Sequence, residues 1–378
     1  MLKELDATTH NQPGDQTRDE PEASLTHLAP VFLLALLVVA VVSGYFLHQR
    51  SQAQAWLSIP RPAHIAFMSD RDGNWEIYLM DPDGSNLFNL TDHPDSDGVP
   101  IQVPGQSRLA FASNRDGAGL DLFVMDLESK HVTNITHTPE SNEIPIAWSP
   151  DGKHLAFAAD PGGGAEIFLI QANGEGLLNL TQRDGAQAFD DWSPEPGRFI
   201  LSAGSGPGIA PLVADLTGAT LQPLTDGSFP AGGGRWSPDG KQVAFMGVTG
   251  ATPESGSIDI FVTGAAGGEA VNLTQSPAND RFPQWSPDGS RIAFVSDRDG
   301  NSEIYVMNSD GSHLTNLTNT PEDESIQGDF AWSPDGAQIL FHSMRGENVD
   351  VYVMNADGTD PVNLTDSPAT DFRAVWVE

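Results

Sequence analysis

Four carboxylates recur at one place in this sequence. Asp97, Glu143, Asp280 and Asp371 each lie five residues ahead of the position at which Trp148, Trp285 and Trp376, or Gln102 in the first copy, closes a short segment. The copies ending at Trp192 and Trp332 carry Gln187 and Gln327 at that offset, and the copy ending at Trp236 carries Ala231. Carboxylates gathered at one rim are suited to hold a cation or a basic peptide, or to do acid–base work on a glycan. The same side chains are equally suited to accept backbone N–H groups where a strand begins. The four are the ligand-binding candidates. No residue is expected to be catalytic and none to hold a metal.

Other motifs carry less chemistry. Asp70-Arg71-Asp72-Gly73-Asn74 and Asp297-Arg298-Asp299-Gly300-Asn301 have a superficial likeness to a calcium loop but lack the full spacing and terminal Glu of an EF-hand. Their matching positions in two copies of a repeat read better as hairpin loops, and Ca2+ is the one cofactor they leave open. Asn-x-Thr at Asn89, Asn134, Asn179, Asn272, Asn316 and Asn363 matches a glycosylation sequon, but strict recurrence at one repeat position argues for structure. Ten histidines show no ligand spacing and there is no cysteine, so thiolate and disulfide chemistry are absent. No Gly-x-Ser-x-Gly elbow occurs.

The elements that must position these residues are short strands in a repeat. Ile65-Ala66-Phe67 recurs as Leu109-Ala110-Phe111, Leu155-Ala156-Phe157, Phe199-Ile200-Leu201, Val243-Ala244-Phe245, Ile292-Ala293-Phe294 and Ile339-Leu340-Phe341, at spacings of 44, 46, 44, 44, 49 and 47 residues. That period fits one four-stranded blade. Within Asp280–Thr318, a strand ends at Trp285, Ser286-Pro287-Asp288-Gly289 turns, and two strands follow. Asn316-Leu317-Thr318 then forms a short outer strand. Ile292 and Phe294 point one way and Ala293 and Val295 the other, so the strand needs cover on both faces, as radially stacked blades supply. The predicted fold is an all-β, seven-bladed propeller of four-stranded antiparallel blades, or six-bladed if the worn fourth unit around Phe199 to Pro223 is no blade. The repeats open at Ile65 without an inner strand and finish with Asp371 to Trp376, an inner strand without a blade. Pairing the two ends leaves no open edge.

Gly and Pro number 38 and 28, in keeping with many turns. Asp plus Glu is 52 against 18 Lys plus Arg, a net charge of −34 that repels phosphates, so no nucleic acid is expected as partner. Leu28 to Leu47 is an uncharged apolar run long enough for one membrane crossing. Ala53-Gln54-Ala55 has the form of a cleavage site, but the run is long for a signal peptide and its leader is acidic, so an uncleaved signal-anchor is expected. The expected organisation is a disordered acidic tail at 1–27, a transmembrane helix at 28–47, a linker at 48–60 and the propeller at 61–378. Lys3 and Arg18 before the helix nearly balance Arg50 and Arg61 after it.

Pro283 to Thr318 and Trp332-Ser333-Pro334-Asp335-Gly336 resemble the TolB-type, WD-like propeller repeat, with further copies opening at Trp148, Trp192 and Trp236. The resemblance spans about residues 60 to 378. It implies the propeller fold and places the N-terminus in the cytoplasm and the propeller in the periplasm or extracellular space. TolB carries an α/β domain ahead of its propeller; here the apolar segment stands in that place, so binding through that domain does not carry over. The expected function is a membrane-anchored, extracytoplasmic interaction module for a protein or glycan partner, not a catalyst. The alternative is a glycan- or peptide-acting enzyme, or a sensor, at the acidic channel mouth.

Overall fold

The computed structural model describes residues 64–117, 119–138, 141–160, 165–181, 186–204, 208–216, 221–250, 256–325, 330–346 and 348–378. The expected membrane helix and its leader lie outside the described residues. Among the described residues no helix is long and apolar enough to cross a membrane.

The second strand of each repeat decides the architecture. Phe67, Phe111, Phe157, Phe245, Phe294 and Phe341 are all buried, and each faces an aromatic directly across on the third strand. Ring centroids in these pairs lie 5.4 to 5.9 Å apart. Such cross-strand pairs fix register as well as adding contact. The residues between them face the neighbouring blade. Ala293, Val295 and Ile304 of one blade share a core with Phe330, Ile339 and Phe341 of the next.

The described residues form seven four-stranded antiparallel sheets. Blade one joins Asp371–Val377 to His64–Ser69, Glu76–Met80 and Phe88–Asn89. Blades two to seven begin with inner strands Asp97–Gln102, Glu143–Trp148, Ala186–Trp192, Ala231–Trp236, Asp280–Trp285 and Phe330–Trp332. The fourth unit is a full blade, with Leu201 facing Leu212 where most others have an aromatic pair. The ring closes as the two ends predicted, with Ile65 opposite Trp376 and Ser69 opposite Asp371.

Two repeated signatures turn out to hold blade against blade. The indole N–H groups of Trp192, Trp285 and Trp332 donate to Ala147, Arg235 and Gln284 of the preceding inner strand. The glycine of the turn between third and outer strands approaches the preceding blade's outer strand. A Cβ on Gly358 would sit 2.7 Å from the Leu317 carbonyl oxygen, so only glycine fits there.

Candidate functional site

Asp97, Glu143, Asp280 and Asp371 each begin an inner strand at the same end of the ring. All four are buried, at 1, 2, 0 and 0% exposure, so none presents a free carboxylate to solvent. Each turns to residues of its own blade or of the loop entering it rather than to the other three.

Three of them meet an arginine from the hairpin between second and third strands. Arg115 Nη2 lies 2.7 Å from both oxygens of Asp97. Arg71 Nη2 lies 2.9 and 3.0 Å from those of Asp371, and Arg298 Nη2 lies 2.8 Å from Asp280 Oδ1. The Nε of each arginine donates to the serine ending the second strand, Ser113, Ser69 or Ser296. Each guanidinium also lies over the aromatic pair of its blade, for instance 4.7 Å from the Tyr305 centroid and 5.1 Å from that of Phe123. The Asp-Arg-Asp-Gly loop is therefore a clamp. Its first residue caps the incoming chain, as Asp297 Oδ1 does for the Asn279 N–H and Asp70 Oδ1 for the Thr370 N–H. Its second Asp accepts from the Tyr hydroxyl, as in Tyr78 to Asp72 and Tyr305 to Asp299, and burial with these carboxylates drives both phenols well above their usual range.

Blade seven carries the same clamp at a residue that counting from Trp332 misses. Glu324 bridges to Ser343 in the register that pairs Asp280 with Ser296, while Gln327 lies outside the described residues. Arg345 Nε lies 2.7 Å from its Oε1. Burial nevertheless outweighs that arginine and pushes the Glu324 carboxyl up.

Among the described residues no arginine meets Glu143. Thr138 donates to its Oε1, while Oε2 is buried and finds no hydrogen-bond partner among the described residues. Burial pushes its carboxyl above the usual range. In blade five Ala231 stands at the equivalent place, and the Phe229 ring stacks 4.8 Å from Phe261, filling the space that a guanidinium takes elsewhere.

A second set of carboxylates escaped the sequence reading. Glu76, Asp121, Glu303 and Asp350 begin third strands, Asp259 lies near the start of another, and all are buried. They accept the Asn-x-Thr side chains. Asn134 donates to Asp121, Asn272 and Thr274 to Asp259, and Asn363 and Thr365 to Asp350. They also take backbone N–H groups of the loop leaving the blade, as in Thr320 to Glu303. The Asn carbonyl oxygen in turn accepts the N–H two residues on, for example from Thr318 to Asn316. The Asn-x-Thr recurrence thus has a structural role at the outer strands that carry it. An acidic residue just before each Ile-Tyr or Leu-Phe pair was the available signal.

Among the described residues no group of three or more His, Asp or Glu converges as a metal site would. The geometry offers loops anchored by buried ion pairs and hydrogen bonds at one end of the ring.

The model of the TolB beta propeller domain family matches residues 95–233 and 212–326. A stretch of 89 residues is 31% identical to an uncharacterised peptidase, YuxL, from Bacillus subtilis, covering 23% of this chain and 14% of that protein. The chain thus spans only a small part of that relative. Among solved structures, TolB from Acinetobacter baumannii is 20% identical with a TM-score of 0.53, over 86% of this chain and 69% of that one. An oligogalacturonate lyase from Vibrio parahaemolyticus is 15% identical with a TM-score of 0.60, over 77% and 85%. At these identities the structural likeness concerns the fold.

Proposed function

Because the chain belongs to the TolB β-propeller family, we propose that it serves as a binding module for a protein or glycan partner rather than as a catalyst, held at the membrane through residues 28–47 with its N-terminus in the cytoplasm and its propeller outside. The observation that carries this reading is the fate of the rim carboxylates. Asp97, Asp280 and Asp371 are buried and each is bonded to an arginine, so they hold loops rather than protons for transfer. The rigid ring then presents loops as a recognition surface. No metal or cofactor enters this role, and the charge of −34 disfavours nucleic acid.

Crosslinking on intact cells followed by capture of the full chain should recover a reproducible partner. Recovery of none would count decisively against the proposal. Protease shaving of the same cells should remove the propeller; a protected propeller would reverse the orientation.

One observation favours the enzymatic alternative. Glu143 is the candidate whose carboxyl burial favours the protonated form, and one of its oxygens has no partner among the described residues. A hydrolase or lyase activity of the purified chain on peptides or uronate oligosaccharides, lost in Glu143→Gln, would establish that reading in place of the first.

A further inference from the structure

The blades are alike enough for departures to stand out at the seams between them. Where an inner strand bulges, its free N–H turns to the second strand of the preceding blade. The Val99 N–H meets the Met68 sulfur at 3.1 Å, the Phe282 N–H meets that of Met246 at 3.4 Å, and the Gly233 N–H meets Ser202 Oγ at 3.2 Å. Val99, Gly233 and Phe282 all have a left-handed backbone, with φ of 55, 68 and 57°. At the seam between blades seven and one a related device is built from other residues, with the donor N–H one residue beyond the left-handed one. The acceptor is His342 Nε2, 3.2 Å from the Ala374 N–H, and the left-handed residue, at φ 54°, is Arg373. An imidazole and a guanidinium thus replace a thioether and an apolar side chain.

Arg373 is buried at 7% exposure, and its Nη1 has no hydrogen-bond partner among the described residues. Most of the other described arginines are engaged otherwise. Arg71, Arg108, Arg115, Arg198, Arg298 and Arg345 meet carboxylates. Arg235 and Arg291 donate to backbone carbonyls. In a chain with 52 acidic and 18 basic residues, a buried guanidinium facing no acid cannot be put down to a shortage of carboxylates. An uncompensated buried charge is costly, and consistent local rules are broken where function requires it. Arg281, on blade six, pairs with Val295, whose face packs on blade seven. Beside Arg373, Phe372 meets Trp75 edge-on at 5.1 Å, and both rings are part-exposed.

We infer that the seam between blades seven and one is a carboxylate-binding site in the channel wall, with Arg373 as the ion-pair partner and the Trp75–Phe372 pair as an adjoining apolar edge. The ligand class is a carboxylate carried on a flat apolar group. This deepens the binding-module reading and rests on it.

The test uses the full chain and N-acetylphenylalanine, with its uncharged amide as control, followed by titration calorimetry. The acid should bind at least ~10-fold more tightly than the amide, the scale of one charge-assisted hydrogen bond. Arg373→Gln should remove that difference, and Trp75→Ala should weaken acid and amide alike. Arg373→Gln should also melt no lower than the parent, because it removes an orphan charge. Equal binding of acid and amide, absence of binding, or a lowered melting point in Arg373→Gln would overturn the inference. If the crosslinked partner is still recovered in any of those cases, the binding-module reading stands without this site.

Discussion

The ring divides into two arcs that hold the same mouth by different means. In blades six, seven, one and two, a buried carboxylate at the inner-strand entry is clamped by Arg298, Arg345, Arg71 and Arg115. In blades three, four and five no such clamp occurs among the described residues. Blade three leaves Glu143 facing a threonine, and blade five substitutes an aromatic stack at Phe229. In blade four Asp190, one of two successive buried acids, accepts from Ser202 and from the Gly234 N–H of the next blade. A buried ion pair is a poor source of net stability, but breaking one side of it is expensive. The clamped arc is therefore locked against change, whereas in the other arc Glu143 and Ala231 stand at the same position without an arginine among the described residues. The lesson is that an acidic rim read from sequence can be a ring of internal struts.

The comparison is tested most severely at Arg115. Arg115→Met strands Asp97 in the interior and should lower unfolding free energy by about 3–5 kcal/mol, read from urea midpoints. Adding Asp97→Ala to the same chain should restore most of it. A double variant as weak as the single would mean that the clamp is more than a charge pair.

The next effect depends on pH. His342 is buried and accepts a backbone N–H, and burial lowers its pKa from 6.5 to about 3, with the nearby Arg373 adding to the shift. Below pH 6.5 the unfolded chain takes up a proton that the folded chain excludes. This residue's contribution is therefore lost as pH falls from 6.5 towards 3, at up to about 1.4 kcal/mol per pH unit. His342→Met, which borrows the residue used by blades one and five, should flatten that slope. An unchanged slope would remove His342 from the account.

The smallest change is expected in the unclamped arc. Glu143→Gln keeps an acceptor for Thr138 and removes a carboxyl that burial disfavours in its charged form. At neutral pH it should alter stability by no more than about 1 kcal/mol, or raise it. A loss on the scale of Arg115→Met would erase the distinction between the arcs.

Much of the fold was legible because it repeats. The Ile-Ala-Phe spacing marked each blade, and an orphan inner strand at Trp376 marked the closure. The worn fourth unit was harder, since its Leu201–Leu212 pair carries no aromatic signal, yet the backbone ladder is complete. The site was legible only in part. The four acids were found, but their partners were not, although Asp97 and Arg115 stand 18 residues apart, as do Asp280 and Arg298. That equal spacing was the missed clue. Asp371 hid its partner completely, because Arg71 is 300 residues away and the two meet only when the ring closes. Glu324 was missed because a fixed offset from Trp332 assumes an inner strand of standard length, and the bridge to Ser343 lies further back.

Blade one also has a history in time. His64–Ser69 is made early and its inner partner, Asp371–Val377, some 300 residues later. At about 5–20 residues per second, that is roughly 15 to 60 s of synthesis during which the first blade has an open edge. A nascent chain must keep that strand from pairing with a neighbour until its partner arrives. The tempo of translation, and any chaperone attending it, should thus bear more heavily on yield than on the stability of the finished ring.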